Sequence, residues 1–388
     1  MEKNLPSHRS FGIRKIPTQI KHRILEEYLS AWGGIICMMN PSVKLAFVDT
    51  CAGAGSYQGS KSQNLEMGSP LIALRTLSQL KADPRFSVKS IETKSLFIER
   101  DHQNALALRN LLSSGNTFGE QYETKEAEFS MVLNEVLDFT RDSFGFIFID
   151  PFGPSSIPFD SINPVVSQKF NDVLINFPLY SIQKWSGFID DYEKDSQAKR
   201  RVDYVTACFG SDEWISLYHQ YRGKGELEKK WLNLYLRNLK ALGVYATSVP
   251  LLFEQKGRSI FYLIFTSRNL AGLIAMKDTM YAGKEEEAKR RAKLQRQTRY
   301  PKQYSFFDVN SEWLPAPELS KDRIEQLAEE MRQTLGQGIF TRRQVYEQFI
   351  PDTLYLKRDV DKALTTLRRK GQVQYGGRSY FGQAIQFK

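Results

Sequence analysis

Three apolar segments of this chain each end in a carboxylate that leads directly into a loop. In order, they are LAFVD ending at Asp49, SLFIE ending at Glu99 and FGFIFID ending at Asp150. Helical patterns lie between them, and alternating strands and helices of this length predict a parallel, doubly wound α/β sheet with a Rossmann-like architecture. Ligands of such sheets bind outside the carboxyl ends of the strands. The three acids are therefore expected at one sheet edge, beside a nucleotide-like cofactor and the chemistry it serves.

The length of 388 residues predicts two or three domains and permits a sizeable core. We predict an α/β domain over residues 1–283, in which residues 181–242 form a helical insertion rich in aromatic and basic side chains. Some of those side chains pack the insertion itself, and others are candidates for substrate contact. An antiparallel hairpin over 243–267 closes the domain. Residues 284–317 form a basic linker, and residues 318–388 form a C-terminal domain.

The C-terminal domain has three short helical patterns followed by two strands around a Gly-Gly turn. The patterns cover about 319–335, 341–349 and 355–370. This order is typical of a winged helix, whose last helix would be the recognition helix. That helix ends in Arg368, Arg369 and Lys370, which we expect to bind nucleic-acid phosphates. The formal net charge of +10 also favours a polyanionic partner. A winged helix that binds a protein or serves only as a scaffold is the alternative.

The cysteine and histidine content argues against a disulfide framework and against a metal site. Cys37, Cys51 and Cys208 are far apart and odd in number, and none of the four histidines has metal-ligand spacing. A reducing cytoplasm is the expected compartment. The N-terminus is polar, and no run of about 18 apolar residues could span a bilayer. We therefore expect no metal and no membrane association.

The loop after the first acid carries glycines at a spacing that selects among cofactors. Asp49 is followed by Gly53 and Gly55 in a GxGxxxG pattern, whereas dinucleotide sites use GxGxxG with a ribose acid about twenty residues later. A phosphate loop would need a glycine directly before Lys61, where this chain has Ser60. The pattern fits the S-adenosylmethionine site of class I methyltransferases, in which the first acid and glycines approach the methionine part. Glu99 would then accept the ribose hydroxyls.

The turn after the third strand predicts the chemistry. An exocyclic amine on a base is a poor nucleophile because its lone pair is delocalised into the ring. A carboxylate and a proline-constrained carbonyl can accept both amine hydrogens, and an aromatic side chain can stack on a base swung out of its helix. Asp150, Pro151 and Phe152 supply these three parts. Asp-Pro is also a common strand-ending turn, so a structural role is the alternative. Asn176, after the next strand, could line the opposite wall.

Four segments together resemble the three-Cys-motif partner protein family, TcmP. They are IKHRILEEYLSAW at 20–32, AFVDTCAGAGSYQG at 46–59, Gly68–Pro70 at the start of a helix, and FIDPFG at 148–153. The resemblance runs from about residue 18 to 280. It implies a class I methyltransferase-like fold, a winged helix of the kind often attached to family members, and a separate partner protein that carries a three-cysteine motif.

Residue by residue, the resemblance implies a cofactor loop, a ribose acid and a catalytic turn. The cofactor loop is formed by Asp49, Gly53 and Gly55, the ribose acid is Glu99, and the turn is Asp150, Pro151 and Phe152. Lys21 and His22 also match the family pattern, in a helix that could cover the cofactor. The turn has one proline, and Gly153 stands where established amino-methyltransferases carry an aromatic residue.

The sequence thus supports three hypotheses from different classes. The first is an S-adenosylmethionine-dependent methyltransferase that acts on a nucleic acid, DNA or RNA, with a base amine as the candidate target. The second is a nucleic-acid-binding interaction protein on a methyltransferase-like scaffold, working with a three-Cys-motif partner. The third is a phosphoester hydrolase that would use the clustered acids to hold magnesium.

Overall fold

The structure is a computed structural model that describes residues 16–58, 65–115, 117–252, 259–297, 320–376 and 380–388. The α-helices, α1 to α13 in chain order, are Ile16–Met39, Ser69–Lys81, His102–Ser113, Leu133–Thr140, Phe159–Ser167, Leu179–Ser186, Ser196–Phe209, Glu213–Tyr221, Leu227–Lys240, Leu270–Gln297, Lys321–Leu335, Arg342–Phe349 and Lys357–Arg369. The strands, β1 to β12, are Ser42–Asp49, Ser56–Gln58, Leu65–Met67, Ser90–Glu99, Tyr122–Glu126, Phe144–Ile149, Asn171–Phe177, Tyr245–Leu252, Ser259–Ser267, Gly338–Thr341, Val373–Gln374 and Ala384–Phe387.

A seven-stranded, mostly parallel sheet forms the centre of the molecule, which confirms the predicted Rossmann-like α/β architecture. Its strand order is β5-β4-β1-β6-β7-β9-β8. The first five strands are parallel, β9 runs antiparallel to β7, and β8 runs antiparallel to β9. The chain order reverses between β1 and β6, so the carboxyl ends of these two strands flank a topological switch point.

The strands are buried on both faces, which explains why they are almost continuously apolar. Side chains alternate along each strand, so Phe47, Phe97 and Phe146 point to the face covered by α1, α2 and α10. Val48 and Ile147 point to the opposite face, beneath α4, α5 and the insertion. Each fully buried aromatic or aliphatic side chain contributes about 1.5–3 kcal/mol of transfer free energy, and this holds the sheet edge in place.

Helix α1 presents an apolar stripe to the sheet. Ile20, Ile24 and Tyr28, spaced four residues apart, are completely buried against the sheet. The hydroxyl of Tyr28 donates a hydrogen bond of 2.7 Å to Asp172 at the start of β7. These contacts fix the angle at which the N-terminal half of α1 crosses the sheet, and that half carries Lys21.

Four α-helices, α6 to α9, fill the fully described stretch between β7 and β8. Their largest aromatic side chains, Trp214, Trp231 and Tyr235, are completely buried. Tyr235 stacks on Phe177 of β7 with ring centroids 4.3 Å apart. Much of the aromatic content of the predicted insertion therefore packs its own core and anchors it to the sheet.

The predicted domain boundary at residue 283 falls inside helix α10, which runs without interruption from 270 to 297. Lys284 and Glu287 are buried and form an ion pair, and Lys284 Nζ also donates to the carbonyl of Pro250 at 2.9 Å. The first half of the predicted basic linker is thus part of a helix packed on α1. Residues 298–317 of that linker lie outside the described residues.

The C-terminal unit, residues 320–388, combines α11, α12 and α13 with a three-stranded antiparallel sheet of order β10-β12-β11. Its helices begin and end within about two residues of the predicted bounds. Residues 377–379, at the predicted Gly-Gly turn, lie outside the described residues, and the winged-helix assignment stays a prediction. The unit packs on the α/β domain, where Lys277 Nζ donates to the carbonyls of Ile350 and Thr353.

Candidate active site at the switch point

A cleft of about 740 Å³ opens at the carboxyl edge of the sheet. It is lined by residues 51–57 of the glycine loop, Gly68, Ser69, Thr18 and Lys21 of α1, Asp101, Gln103 and Asn104 at the start of α3, residues 150–152, Asn176 and Phe261. Its size is that of a cleft that binds a small molecule. The strand registers bring its acids together, because Asp49 pairs with Phe97 and Phe148, each two residues before an acid.

Asp49 lies beneath the lining residue Cys51 and is completely buried, so it does not itself line the cleft. Its Oδ1 accepts a hydrogen bond of 3.1 Å from the backbone N–H of Cys51, whereas its Oδ2 has no hydrogen-bond partner among the described residues. Burial raises the pKa of Asp49 to about 7, against the opposing effects of the nearby Ser69 hydroxyl and the Cys51 amide. A buried carboxylate oxygen left without a donor is what a ligand bearing a positive charge or an N–H group would satisfy.

The glycine loop needs its glycines for two different reasons. Gly53 and Gly55 have φ angles of +61° and +79°, a region that other residues rarely adopt. A methyl group on Gly53 would meet nothing within 4 Å, whereas one on Gly55 would lie 2.7 Å from Leu108 Cδ1. One on Gly68 would lie 2.7 Å from the carbonyl oxygen of Gly55. Gly55 and Gly68 therefore close the packing below the loop, and Gly53 leaves its backbone open to a ligand.

Glu99 holds the glycine loop against the end of β4. Its Oε2 accepts from the N–H of Gly53 and its Oε1 from the N–H of Asp101, both at 2.8 Å. Only 2% of Glu99 is exposed. A carboxylate offers about four acceptor positions, so two remain for hydroxyl donors after these bonds. Its predicted role as the ribose acid and its structural role in the loop are compatible.

A smaller recess adjoins the cleft at Cys51 and Phe152. Glu99 and Arg100 line one side of it, and Ala127, Glu128 and Phe129, which follow β5, line the other. Sequence reasoning missed these last three residues, although they follow a strand of the same parallel sheet and so reach the same edge. The volume of the recess is only about 20 Å³, so it extends the cleft at one corner and does not form a second ligand site.

Asp150 does not stand free. Lys21 Nζ donates to its Oδ2, and Asn176 Nδ2 donates to its Oδ1 at 2.6 Å. Burial by itself would lower the pKa of Lys21, but the charge of Asp150, with Tyr57 and Asp49 nearby, raises it above its ordinary value. The predicted opposite wall is thus in direct contact with the predicted catalytic acid. Lys21, singled out only through the family resemblance, is the main partner of that acid.

The rest of the turn presents one aromatic ring to the solvent. Pro151 is buried, whereas Phe152 is 70% exposed at the mouth of the cleft. The thiol of Cys51 faces the same cleft, and burial, then the charges of Asp150 and Asp49, raise its pKa well above its ordinary value. The thiol therefore stays protonated, and chemistry that needs a cysteine thiolate is disfavoured.

The charges of the described lining residues of the cleft and the recess are mainly negative. Lys21 and Arg100 face Glu99, Asp101, Glu128 and Asp150, with Asp49 beneath. Asp101 also caps α3, accepting from the N–H of Asn104 at 2.9 Å. The N-terminus of a helix is a common phosphate site, and here a carboxylate already occupies it.

Arg368, Arg369 and Lys370 line neither the cleft nor the recess. They are exposed at the end of α13, where the Arg368 guanidinium lies 4.9 Å from the ring centroid of Tyr375 and Lys370 Nζ lies 3.5 Å from Glu325. The structure thus separates the two predicted functional sites.

The comparisons with protein families and with curated proteins do not identify the chain. No protein-family model matches the chain, and no curated protein matches it. Within the described ranges, no helix is both long and apolar enough to cross a membrane. Over the same ranges, no three His, Cys, Asp or Glu side chains converge as the ligands of a metal ion do.

Proposed function

We propose that the chain is an S-adenosylmethionine-dependent methyltransferase that acts on a nucleic acid. The observation that carries the proposal is the negative charge of a cleft at the topological switch point. S-Adenosylmethionine bears a positively charged sulfonium, a positively charged ammonium and one carboxylate. Its net charge is therefore positive, which suits a negatively charged cleft. A dinucleotide or a triphosphate would bring its phosphates against Asp101, at the helix N-terminus that should receive them.

The residues present fit this cofactor. Asp49 offers a buried carboxylate oxygen without a donor, Gly53 offers open backbone, and Glu99 keeps acceptor capacity for two hydroxyls. When bound, S-adenosylmethionine supplies a methyl group activated by the sulfonium charge. These assignments agree with what the resemblance to the TcmP family implies.

The turn would receive the target base. Phe152 is exposed enough to stack on a base that has left its helix, and the Asp150 carboxylate can accept a hydrogen from an amine held there. Lys21 and Asn176 fix the direction of that carboxylate, so it can hold the target amine in one orientation. The neutral Cys51 thiol takes no part as a nucleophile.

One observation favours a second candidate function. Both oxygens of Asp150 already accept hydrogen bonds from side chains of the protein, as expected if the turn only anchors α1 to the sheet. The chain would then be a nucleic-acid-binding interaction protein that keeps the cofactor pocket, while a three-Cys-motif partner performs the chemistry.

Two measurements separate these candidates. Isothermal titration with S-adenosylmethionine should show binding by the wild type and a loss of about tenfold or more in Glu99→Ala, since each lost hydrogen bond to a charged group costs about 1.5–3 kcal/mol. Transfer of labelled methyl groups to pooled RNA and DNA should then be abolished by Asp150→Ala but kept by Asp142→Ala, an exposed acid of the opposite sheet edge. Absence of cofactor binding contradicts the proposal. Binding without transfer supports the second candidate.

A further inference from the structure

We infer that a row of aromatic side chains beside the cleft, formed by Phe152, Trp185 and Tyr204, binds the unpaired bases of a single-stranded nucleic acid and leads one of them to the cleft. We call this row the aromatic strip. The inference rests on the proposed function, because it names the form of nucleic acid that reaches the turn. It also assigns the substrate path to the α6–α7 insertion and not to the C-terminal unit.

Two of the three rings, Trp185 and Tyr204, are direct neighbours on the insertion, and the third, Phe152, lies on the turn that approaches Trp185 through its next residue. A methyl group placed on Gly153, directly after Phe152, would lie 3.9 Å from Cη2 of Trp185. The Trp185 ring lies 6.0 Å from that of Tyr204 on α7. Helix α7 in turn packs against the 3₁₀ turn Pro154–Ser156, which continues the catalytic turn. The strip is therefore continuous with the mouth of the cleft.

The rings are accessible, in contrast to the other large aromatic side chains of the insertion. Phe152 is 70% exposed and Tyr204 is 38% exposed, and Trp185 is half-buried. Trp214 and Trp231 are completely buried. Trp185 packs against the core that contains Trp214 and Trp231 and keeps part of its surface exposed, whereas Tyr204 lies outside that core.

Cations flank the strip. Lys184 and Arg200 are exposed and have no ion-pair partner among the described residues, and the Arg201 guanidinium lies 4.2 Å from the ring centroid of Phe188. Three acids of the same segment are engaged locally, since Asp190 pairs with Arg222, Asp195 caps α7 and Asp203 accepts from the Tyr192 hydroxyl at 2.9 Å, whereas Asp191 and Glu193 are exposed. Rings that stack with bases and cations that track phosphates are the two parts of a single-strand site.

A single strand fits this surface better than a duplex does. Stacked, paired bases do not expose their faces to a ring, whereas every unpaired base does. The target base must also leave its stack to reach Asp150, and this is easiest in a strand that is already unpaired.

Fluorescence anisotropy with labelled single-stranded DNA, single-stranded RNA and the matching duplex tests the inference on the full-length chain. Tyr204→Leu and Trp185→Leu should each weaken single-strand binding by about 5- to 100-fold, the range for loss of one stacked base. The matched control is Tyr380→Leu, which removes a ring that is 63% exposed in the C-terminal unit. Thermal unfolding followed by circular dichroism checks that each variant folds, and Tyr204, the more exposed of the two, is the safer substitution.

Salt dependence gives a second readout that a packing role would not change. Arg200→Gln with Arg201→Gln should reduce the slope of log Kd against log salt by about 0.7 for each lost phosphate contact. Arg85→Gln with Arg141→Gln removes the same charge from exposed positions at the opposite sheet edge and should leave the slope unchanged. A preference for DNA or for RNA identifies the type of strand, and either result supports the inference.

Three results would overturn it. They are strip variants that bind single strands within twofold of the wild type, duplex binding as tight as single-strand binding, and loss of binding only when Arg368, Arg369 and Lys370 are replaced. Titration with S-adenosylmethionine on the same variants keeps the two proposals apart. If the wild type binds S-adenosylmethionine but the strip variants bind single strands as the wild type does, only this inference is wrong. If the wild type does not bind S-adenosylmethionine, the proposed function is wrong.

Discussion

The affinity for S-adenosylmethionine should depend on pH through Asp49. Burial raises the pKa of this carboxyl to about 7 from an ordinary 3.8, so in the folded protein it is mostly protonated at pH 6 and mostly ionised at pH 8. The buried Oδ2 has no hydrogen-bond partner among the described residues, and a cationic ligand close to it favours the ionised form of the carboxyl. The carboxyl must therefore lose its proton for the ligand to gain that contact.

The size of the effect follows from this pKa. For a group that must be ionised, the apparent Kd is multiplied by one plus the ratio of its protonated to its ionised form. Between pH 7.5 and pH 6 this predicts weakening by about eightfold, or roughly 1.2 kcal/mol. Lys21 and Cys51 stay outside this range, because the charge of Asp150 raises the pKa of Lys21 and burial raises the pKa of Cys51 well above its ordinary value. The amino group of S-adenosylmethionine also stays mainly protonated between pH 6 and pH 7.5.

Isothermal titration at pH 6.0, 6.5, 7.0 and 7.5 measures the effect, and repetition in buffers of different ionisation enthalpy counts the protons released. Asp49→Asn is the matched variant, because it keeps the shape of the side chain and cannot ionise. Its affinity should be weak and nearly independent of pH. A wild type with a flat profile, or an Asp49→Asn variant with the same slope as the wild type, would refute the assignment of Asp49 to the cationic part of the ligand.

Three further predictions concern stability. Glu99→Gln should lower the free energy of unfolding by about 1–3 kcal/mol in chemical denaturation, because one of two buried backbone N–H groups loses its acceptor; unchanged stability would mean that the loop does not depend on this carboxylate. Gly68→Ala should destabilise the fold, since its methyl group would overlap a backbone carbonyl, whereas Gly53→Ala should cost only the roughly 1 kcal/mol of its left-handed backbone and act mainly on ligand affinity. Equal effects of the two substitutions on unfolding would contradict the open approach at Gly53. Burial raises the pKa of Asp172 to about 6 from 3.8, so this carboxyl binds its proton more tightly in the folded state than in the unfolded state. The stability that the bound proton confers is fully present below pH 4. About 3 kcal/mol of it is lost as the pH rises through 6. Asp172→Asn should abolish that part of the pH dependence, and a denaturation midpoint that still falls from pH 4 to 6 as in the wild type would exclude this carboxyl as its source.

The strands and helices of the sheet were predictable because burial on both faces leaves a simple apolar signal. Phe144–Ile149 and Ser259–Ser267 are found at the predicted bounds. The prediction failed where the backbone is extended without that signal. Strand β4 begins at Ser90, five residues before the predicted start, because its polar first half is exposed at the amino edge of the sheet. The short hairpin of β2 and β3 over the glycine loop was missed for the same reason, and Ser60, in its connection, lies outside the described residues.

The acids of the site were predictable, but their partners were not. A carboxylate that ends a parallel strand must reach the carboxyl edge, so Asp49, Glu99 and Asp150 follow from strand assignment alone. The contact between Lys21 and Asp150 joins residues 129 positions apart and depends on how α1 crosses the sheet. That angle is set by side-chain packing, and no local pattern in the sequence specifies it.

The pairing of Asp150 limits what the catalytic turn can do. A carboxylate that already accepts from an ammonium and from an amide is held in one direction and is more rigid than a free one. Each oxygen keeps one more acceptor position, so an amine hydrogen can still be held in a fixed direction while the proton leaves by another route. The turn is therefore better suited to orient a target nitrogen than to abstract its proton. It follows that Lys21→Met should loosen this alignment, lowering kcat for methyl transfer more than it raises the KM for the nucleic acid, whereas a turn that only anchors α1 would lose stability and show no methyl transfer with or without the substitution.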